Sequence, residues 1–274
     1  MKLSDCSVVL TGASGGIGAA TARALVAAGA RVLLVARDGN RLTKLADRLA
    51  ERAREGQVAA FAADLTTVTG RAQLRDLAVA RRVNVLVNNA GTPCFGALAE
   101  MDDAAIASVI GVNLVAPIAL TRTLLPHLGS QPRAIVLNVG STLGRLGLPG
   151  FSVYAASKFG LRGFTEALRR ELAGSRIDVL YLAPRTTKTA FNSDRVAAFN
   201  RATGTREDAP QVVATAILRM IERGTPERQI GFPECLAVRL NGLVPRWLDG
   251  AFAKHRAALV RPATIPDLPK EIAR

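Results

Sequence analysis

The sequence predicts a doubly wound α/β fold, a parallel sheet with helices on both faces, followed by a helical C-terminal extension. Three observations predict it. Short β-branched runs alternate with longer helical segments along most of the chain, the order of a parallel sheet built with crossover helices. The strand runs are continuously apolar rather than alternating, as burial on both faces requires. A glycine-rich turn separates the first strand from the first helix, where such sheets place a ligand-binding loop.

Residues 7–10 form the first strand, and 16–28 an alanine-rich helix that Gly29 stops. A second strand covers 31–35, and an Arg/Leu-rich helix covers 40–54. Strands at 58–62 and 84–87 follow, the latter running into the turn Asn88-Asn89-Ala90-Gly91. The 18 residues 104–121 are uncharged, which reaches the length of a membrane span. They contain Ser108, Asn113, Pro117 and five alanines, so they read as a long helix buried in a large α/β core of a soluble protein. Strands at 134–139 and 177–182 flank a helix over 152–172.

After Pro184 the rhythm changes. Residues 187–205 are polar and read as a helix and loop over the sheet's edge, 208–222 as a helix, and 229–232 as a short edge strand. Leu236, Val238, Leu240, Leu243, Val244, Trp247, Leu248, Ala251 and Phe252 recur near helical spacing with cations between them. Pro245 would kink or split that helix. Either it lies on a membrane surface as an amphipathic segment, or it packs on the pocket or a partner subunit, the favoured reading. Pro262, Pro266 and Pro269 mark an irregular end. Nothing marks a domain boundary. Residues 1–274 read as one domain, with its core at about 4–232 and the extension at about 233–274.

Composition narrows the function. Hydrophobic residues make up 49% and charged residues 21% of 274, which excludes disorder as the overall state. The three cysteines Cys6, Cys94 and Cys235 are far apart and form no CxxC pair, so a disulfide scaffold is excluded and a reducing, cytoplasmic setting is expected. Only two histidines, His127 and His255, are present, and no metal site is expected. The start of the chain is too short and too glycine-rich for an export signal.

Thr11-Gly12-Ala13-Ser14-Gly15-Gly16-Ile17-Gly18 lies between the first strand and the first helix. Glycines there permit a tight turn and a close backbone approach to a pyrophosphate, which the helix N–H groups then face. At the end of the second strand a carboxylate would bond a ribose 2′-hydroxyl and select NAD. Here Ala36 and Arg37 stand instead, giving room and a cation for a 2′-phosphate, so NADP(H) is expected over NAD(H). Asp38 reads as the cap of the next helix.

Tyr154 and Lys158 are four residues apart on a predicted helix and share a face. An ammonium beside the phenol, and a cationic nicotinamide in one redox state, would favour phenolate and lower its pKa toward acid–base use; two ordinary helical residues would have the same spacing. Ser141 follows the fifth strand in Asn138-Val139-Gly140-Ser141-Thr142, at the sheet end that faces the ligand crevice. Asn113 sits inside an apolar helix. It either kinks or caps backbone there, or holds a relay water.

With these motifs in order and at these spacings, the stretch from about Ser4 to Thr189 resembles the short-chain dehydrogenase/reductase family, whose fold is of the Rossmann type. The carrying features are the TGxxxGIG loop at 11–18, Asp64-Leu65, Asn88-Asn89-Ala90-Gly91, Asn113, Ser141 and YxxxK at 154–158. The resemblance implies an oxidoreductase moving a hydride between nicotinamide and a carbonyl or alcohol. It implies Tyr154 as general acid/base, Lys158 as the group that lowers its pKa and bonds the nicotinamide ribose, Ser141 polarising the carbonyl, and Asn113 holding a relay water. Gly12, Ser14, Gly15, Gly16, Ile17 and Gly18 would cradle the phosphates, with Arg37 at the 2′-phosphate. Asp64 and Leu65 would meet the adenine, and Asn89, Ala90 and Gly91 its ribose. Pro184, Thr187 and Thr189 would line the nicotinamide side. It also implies a homodimer or homotetramer paired through helices at 103–128 and 152–173.

One departure stands out. The family usually has Pro-Gly after the sixth strand, whereas this chain has Pro184-Arg185. Arg185 either sets a cation beside the nicotinamide or the substrate mouth, or points to solvent.

Residues 1–121 hold 13 Lys+Arg and 10 Asp+Glu, and residues 122–274 hold 23 and 12, so the net +14 gathers on the substrate half. With aromatic residues at 4% and no basic run, nucleic acid is not expected as a partner. A small, lipophilic or acyl-type carbonyl substrate, on an anionic carrier or thioester, fits better. Peripheral membrane contact is the less favoured alternative. A protein that holds NADP as a sensor or scaffold without turnover is the rival reading.

Overall fold

Seven strands form one sheet among the residues described in a computed structural model, which covers 1–232, 234–244, 246 and 249–260. They are β1 (Ser7–Thr11), β2 (Arg31–Ala36), β3 (Val58–Ala62), β4 (Val85–Asn88), β5 (Ala134–Val139), β6 (Ile177–Ala183) and β7 (Glu227–Gln229). Their order is β3-β2-β1-β4-β5-β6-β7, and every pairing is parallel. The order reverses between β1 and β4, so a crevice opens beyond their carboxyl ends.

The helices are α1 (Gly16–Ala27), α2 (Gly39–Ala50), α3 (Val68–Ala80), α4 (Asp103–Ile110), α5 (Ala116–Gly129), α6 (Ser152–Glu171), α7 (Asp194–Thr203), α8 (Pro210–Arg223), α9 (Glu234–Leu243) and α10 (Ala253–Val260). Successive strand residues point to opposite faces. Val8, Leu10, Val32 and Leu34 therefore pack with Leu25, Leu42 and Ile217 of α1, α2 and α8, while Val9, Leu33 and Val35 pack on the other face, with Leu74, Leu124 and Leu168 of α3, α5 and α6. Both faces are covered, which explains the unbroken apolar strand runs.

Helix α3 departs from the sequence reading, which placed no helix between β3 and β4. Thr67 caps it by accepting from the Gly70 amide at 3.0 Å. Its apolar stripe is obscured in the sequence because Val68, Leu77 and Val79 face outward while Leu74 and Ala78 carry the packing. The edge strand lies at Glu227–Gln229, two residues earlier than expected at its start.

The stretch Asp103–Gly129 is one helical run, long and apolar enough by length and composition to cross a membrane, with a mean hydropathy of 2.0. Here it covers the sheet, packing on β4, β5, α3 and α6. It is not buried all round: one stripe, including Val109, Leu120, Leu124 and Leu128, faces inward. A π turn at Gly111–Val115 joins α4 to α5 and carries Asn113. Among the described residues the C-terminal part is divided, one of the two outcomes expected of it: α9 ends at Leu243, and a 3-10 turn at Asp249–Phe252 precedes α10. Pro245, Trp247, Leu248, Pro262, Pro266 and Pro269 lie outside the described residues.

Candidate active site

The crevice at the strand-order switch is a cavity of about 970 Å³. Its cofactor end is built by the β1–α1 loop. Gly12 adopts φ +64°, and a Cβ there would meet Ala90 Cα at 2.8 Å, so a side chain would be both strained and obstructed. Thr11 stitches this loop to the one after β4. Its hydroxyl accepts from the Asn89 and Ala90 amides at 2.9 and 3.0 Å, and Asn89 Nδ2 donates to the Thr11 carbonyl at 3.0 Å. The N-cap of α1 is Gly15, with no side chain closing the first turn and no acidic residue in it. Its free N–H groups are available to an anion.

Gly12, Ser14, Gly15, Gly16, Ile17, Gly18, Arg37, Asp64, Leu65, Asn89, Ala90, Gly91, Pro184, Thr187 and Thr189 all line the one cavity. At its β2 end, Asp38 accepts from the Arg41 amide at 3.0 Å and caps α2. That carboxylate is engaged in the cap, and Arg37 is exposed with no ion-pair partner among the described residues. Asp64 accepts from the Thr66 amide and hydroxyl at 2.9 and 2.7 Å. Those bonds, with a smaller pull from Arg37, hold its carboxyl below the usual range.

The other end of the cavity holds Ser141, Tyr154 and Lys158. Ser141 leaves β5 in extended conformation and accepts from the Leu143 amide at 3.1 Å. Tyr154 and Lys158 project from the first turns of α6, with Lys158 Nζ 5.8 Å from the Tyr154 ring centroid and donating to the Val139 carbonyl at 3.2 Å. The expected lowering of the tyrosine pKa is not what this arrangement produces. Burial of the phenol raises it well above its ordinary value; hydrogen bonding with Ser141 pulls downward and is outweighed. The charged form loses more from desolvation than its neighbours return. Tyr154 is thus a protonated phenol at neutral pH, the form a general acid needs.

Burial also lowers Lys158, to about 8. The folded protein therefore binds fewer protons at this site than the unfolded chain between about pH 8 and 10.5, and the site's contribution to stability rises with pH across that window. Wild type should gain up to about 3 kcal/mol relative to Lys158→Met between those limits. Urea midpoints of both proteins across the window check this; parallel curves would show that the ammonium is not desolvated.

Asn113 does not line the cavity. Its Oδ1 accepts from the Thr92 amide at 2.8 Å, and its Nδ2 donates to the Thr92 carbonyl at 3.0 Å and to Ser157 Oγ at 3.2 Å. The side chain clamps the loop after β4 to the π turn and ties both to Ser157 of α6.

Sequence reasoning placed the C-terminal segment with Phe252 on the pocket, where it lies, but missed the rest of the substrate side. Beyond Ser141 the wall is Leu143, Leu146, Leu148, Phe151, Val196 and Phe199, with Phe252 and His255. The rings of Phe95, Phe151 and Phe199 pack tilted or edge-on, with centroids 4.8–5.8 Å apart, and the His255 ring lies 5.8 Å from Phe199. These residues come from four separate stretches of chain, and no local spacing brings them together. Arg185 is neither a free cation nor directed to solvent: it is ion-paired to Asp208 and Glu234.

Residues 7–199 match the family model described as short chain dehydrogenase. The chain is 32% identical over 228 residues to the ketoacyl reductase HetN of Nostoc sp., covering 82% of this chain and 78% of that protein. It is 30% identical over 251 residues to dehydrogenase/reductase SDR family member 7B of Xenopus laevis, covering 87% and 78%. Among solved structures, an actinorhodin polyketide ketoreductase variant with NADPH is similar at 30% identity and a TM-score of 0.74, over 84% of this chain and 97% of that one. A short chain dehydrogenase/reductase from Burkholderia phymatum in complex with NAD shares the fold, with a TM-score of 0.81 at 24% identity over 90% and 96%.

Proposed function

Because this chain belongs to the short-chain dehydrogenase/reductase family and is an oxidoreductase with a nicotinamide cofactor, we propose that it is an NADP(H)-dependent reductase of a lipophilic or acyl-type ketone or aldehyde. The observation that carries this reading is one cavity with Arg37 and the glycine loop at one end and Ser141, Tyr154 and Lys158 at the other, continuing into an apolar, phenylalanine-rich wall.

The cradle fits the cofactor: a Cβ at Gly12 would close the approach to Ala90, and the open first turn of α1 offers N–H groups to phosphate. When bound, the nicotinamide supplies or accepts the hydride. Tyr154 gives its proton to the carbonyl oxygen, and Ser141 donates a hydrogen bond to the same oxygen as charge develops there. Lys158, held at the Val139 carbonyl, keeps a positive charge near the phenol at neutral pH. The similarity to a ketoacyl reductase and a polyketide ketoreductase supports an acyl-chain ketone. The basic excess in the second half of the chain supports an anionic carrier or thioester on it. The exposed Val115 and Phe159 on the outer faces of the 103–129 run and α6 support pairing of copies there, and light scattering of the purified protein reads the mass.

Fluorescence titrations of NADPH and NADH against wild type and Arg37→Ala test the cofactor reading. A charge-assisted contact to a 2′-phosphate is worth about 1.5–3 kcal/mol, so NADPH should bind about 10–100-fold more tightly than NADH, and the variant should lose that margin. Equal binding of both in wild type would assign Arg37 to the surface. NADPH binding with no turnover on a ketone panel would favour the sensor or scaffold.

A further inference from the structure

Arg185 lies where β6 ends and the chain begins its excursion over the substrate side. Its Nε and Nη2 donate to Asp208 Oδ2 and Oδ1 at 2.9 and 2.7 Å, a two-pronged pairing, and its Nη1 lies 3.4 Å from both oxygens of Glu234. All three side chains are mostly buried, at 17, 13 and 24% exposure. The stem passes under Gly231, which has φ +106° and whose Cβ would meet Arg185 Cδ at 2.8 Å.

The partners are set at the base of the excursion. Asp208 N donates to the Thr186 carbonyl and Asp208 O accepts from the Lys188 amide, each at 2.9 Å. Residues 186–208 are thus closed into a loop whose two ends meet at Arg185. That loop carries α7, whose Val196, Phe199 and Asn200 line the cavity. Glu234 opens α9, and the following α10 packs on α7 through His255 and Phe199. One guanidinium therefore joins the nicotinamide-side wall, the base of the α7 loop and the start of the C-terminal cover. A glycine here would leave two mostly buried carboxylates without their shared cation, and a lysine could not reproduce the planar fork.

We propose that Arg185, paired with Asp208 and Glu234, is a positioning residue that holds α7 and α9 as one wall of the substrate cavity and thereby sets the affinity for substrate. This deepens the reductase reading and rests on it only for the kinetic consequence.

The test uses the full chain with Arg185→Ala, Arg185→Lys, Asp208→Asn, Glu234→Gln and the Arg185→Ala/Asp208→Asn double variant. Amide hydrogen exchange of residues 194–203 in the ligand-free protein reads the wall directly. Arg185→Ala and Asp208→Asn should each raise exchange there by about tenfold or more, with the double variant no worse than either single, as expected for partners in one interaction. Arg185→Lys should fall between, and Glu234→Gln, at the longer contact, should have the smaller effect. With a ketone that wild type reduces, KM should rise about tenfold while kcat stays within about threefold.

Wild-type exchange at 194–203 in folded Arg185→Ala overturns the proposal, and so does a fall in kcat with KM unchanged. Should the alanine variant fail to fold, Arg185→Lys and Glu234→Gln decide, because unchanged exchange in both overturns it. A protein that reduces no ketone yet shows the exchange increase retains the wall-holding role while the reductase reading fails.

Discussion

Replacing Tyr154 with Phe should lower kcat/KM for carbonyl reduction by about 10²–10⁴-fold, the span that a positioned proton donor contributes. NADPH affinity should stay within about threefold of wild type, because the phenyl ring keeps its edge contacts with Phe151 and Phe191 at 6.4 and 6.1 Å. The loss should fall on kcat as well as kcat/KM, since the proton is needed only as charge develops on the oxygen. The buried phenol stays protonated through neutral pH, so wild-type reduction should show no loss there from ionisation of this group. Steady-state rates across pH 6–9 with both proteins, together with cofactor titration, read all of this. Turnover of the variant at the wild-type rate would remove Tyr154 as the acid.

The second large effect concerns stability. Asn138 lies wholly buried at the end of β5. Its Oδ1 accepts from Asn88 Nδ2 at 2.8 Å, and its Nδ2 donates to Thr165 Oγ1 at 2.9 Å, while Asn88 Nδ2 also reaches Thr121 Oγ1 at 3.1 Å. This network ties the carboxyl ends of β4 and β5 to α5 and α6, three residues ahead of Ser141. Asn138→Ala removes a donor and an acceptor from a site without solvent access and leaves a small void. The cost should be about 2–4 kcal/mol, read as a fall in the urea midpoint at unchanged m-value. A loss under about 1 kcal/mol would mean that the neighbours close over the gap and re-pair.

Much of the site was legible because it is local. Tyr154 and Lys158 meet through helical spacing, and the glycine loop follows directly from a strand and a helix that the apolar pattern defines. The capping role of Asp38 was likewise readable, since its partner is only three residues on. Helix α3 was not, because its outward Val68, Leu77 and Val79 spread apolar character around the cylinder and hide the face that packs. Asn113 was readable as costly inside an apolar run, but its partner Thr92 is 21 residues away, across a turn of π helix. The phenylalanine wall escaped for a similar reason: its rings come from the loops and helices after β4, β5 and β6, whose meeting depends on strand order.

By itself the sequence determined the alternation of strands and helices, the place of the nucleotide loop and the spacing of the acid–base pair, all of which depend on neighbours within a few residues. Only the tertiary structure decided the direction of the Tyr154 pKa shift and the partners of Arg185. Local pairing argued for a lowered tyrosine pKa, but burial raises it, outweighing the Ser141 hydrogen bond. Arg185 looked like an unassigned cation, yet its carboxylates lie 23 and 49 residues onward. Charge and burial act through space, so their balance is settled only when the chain has brought remote segments together.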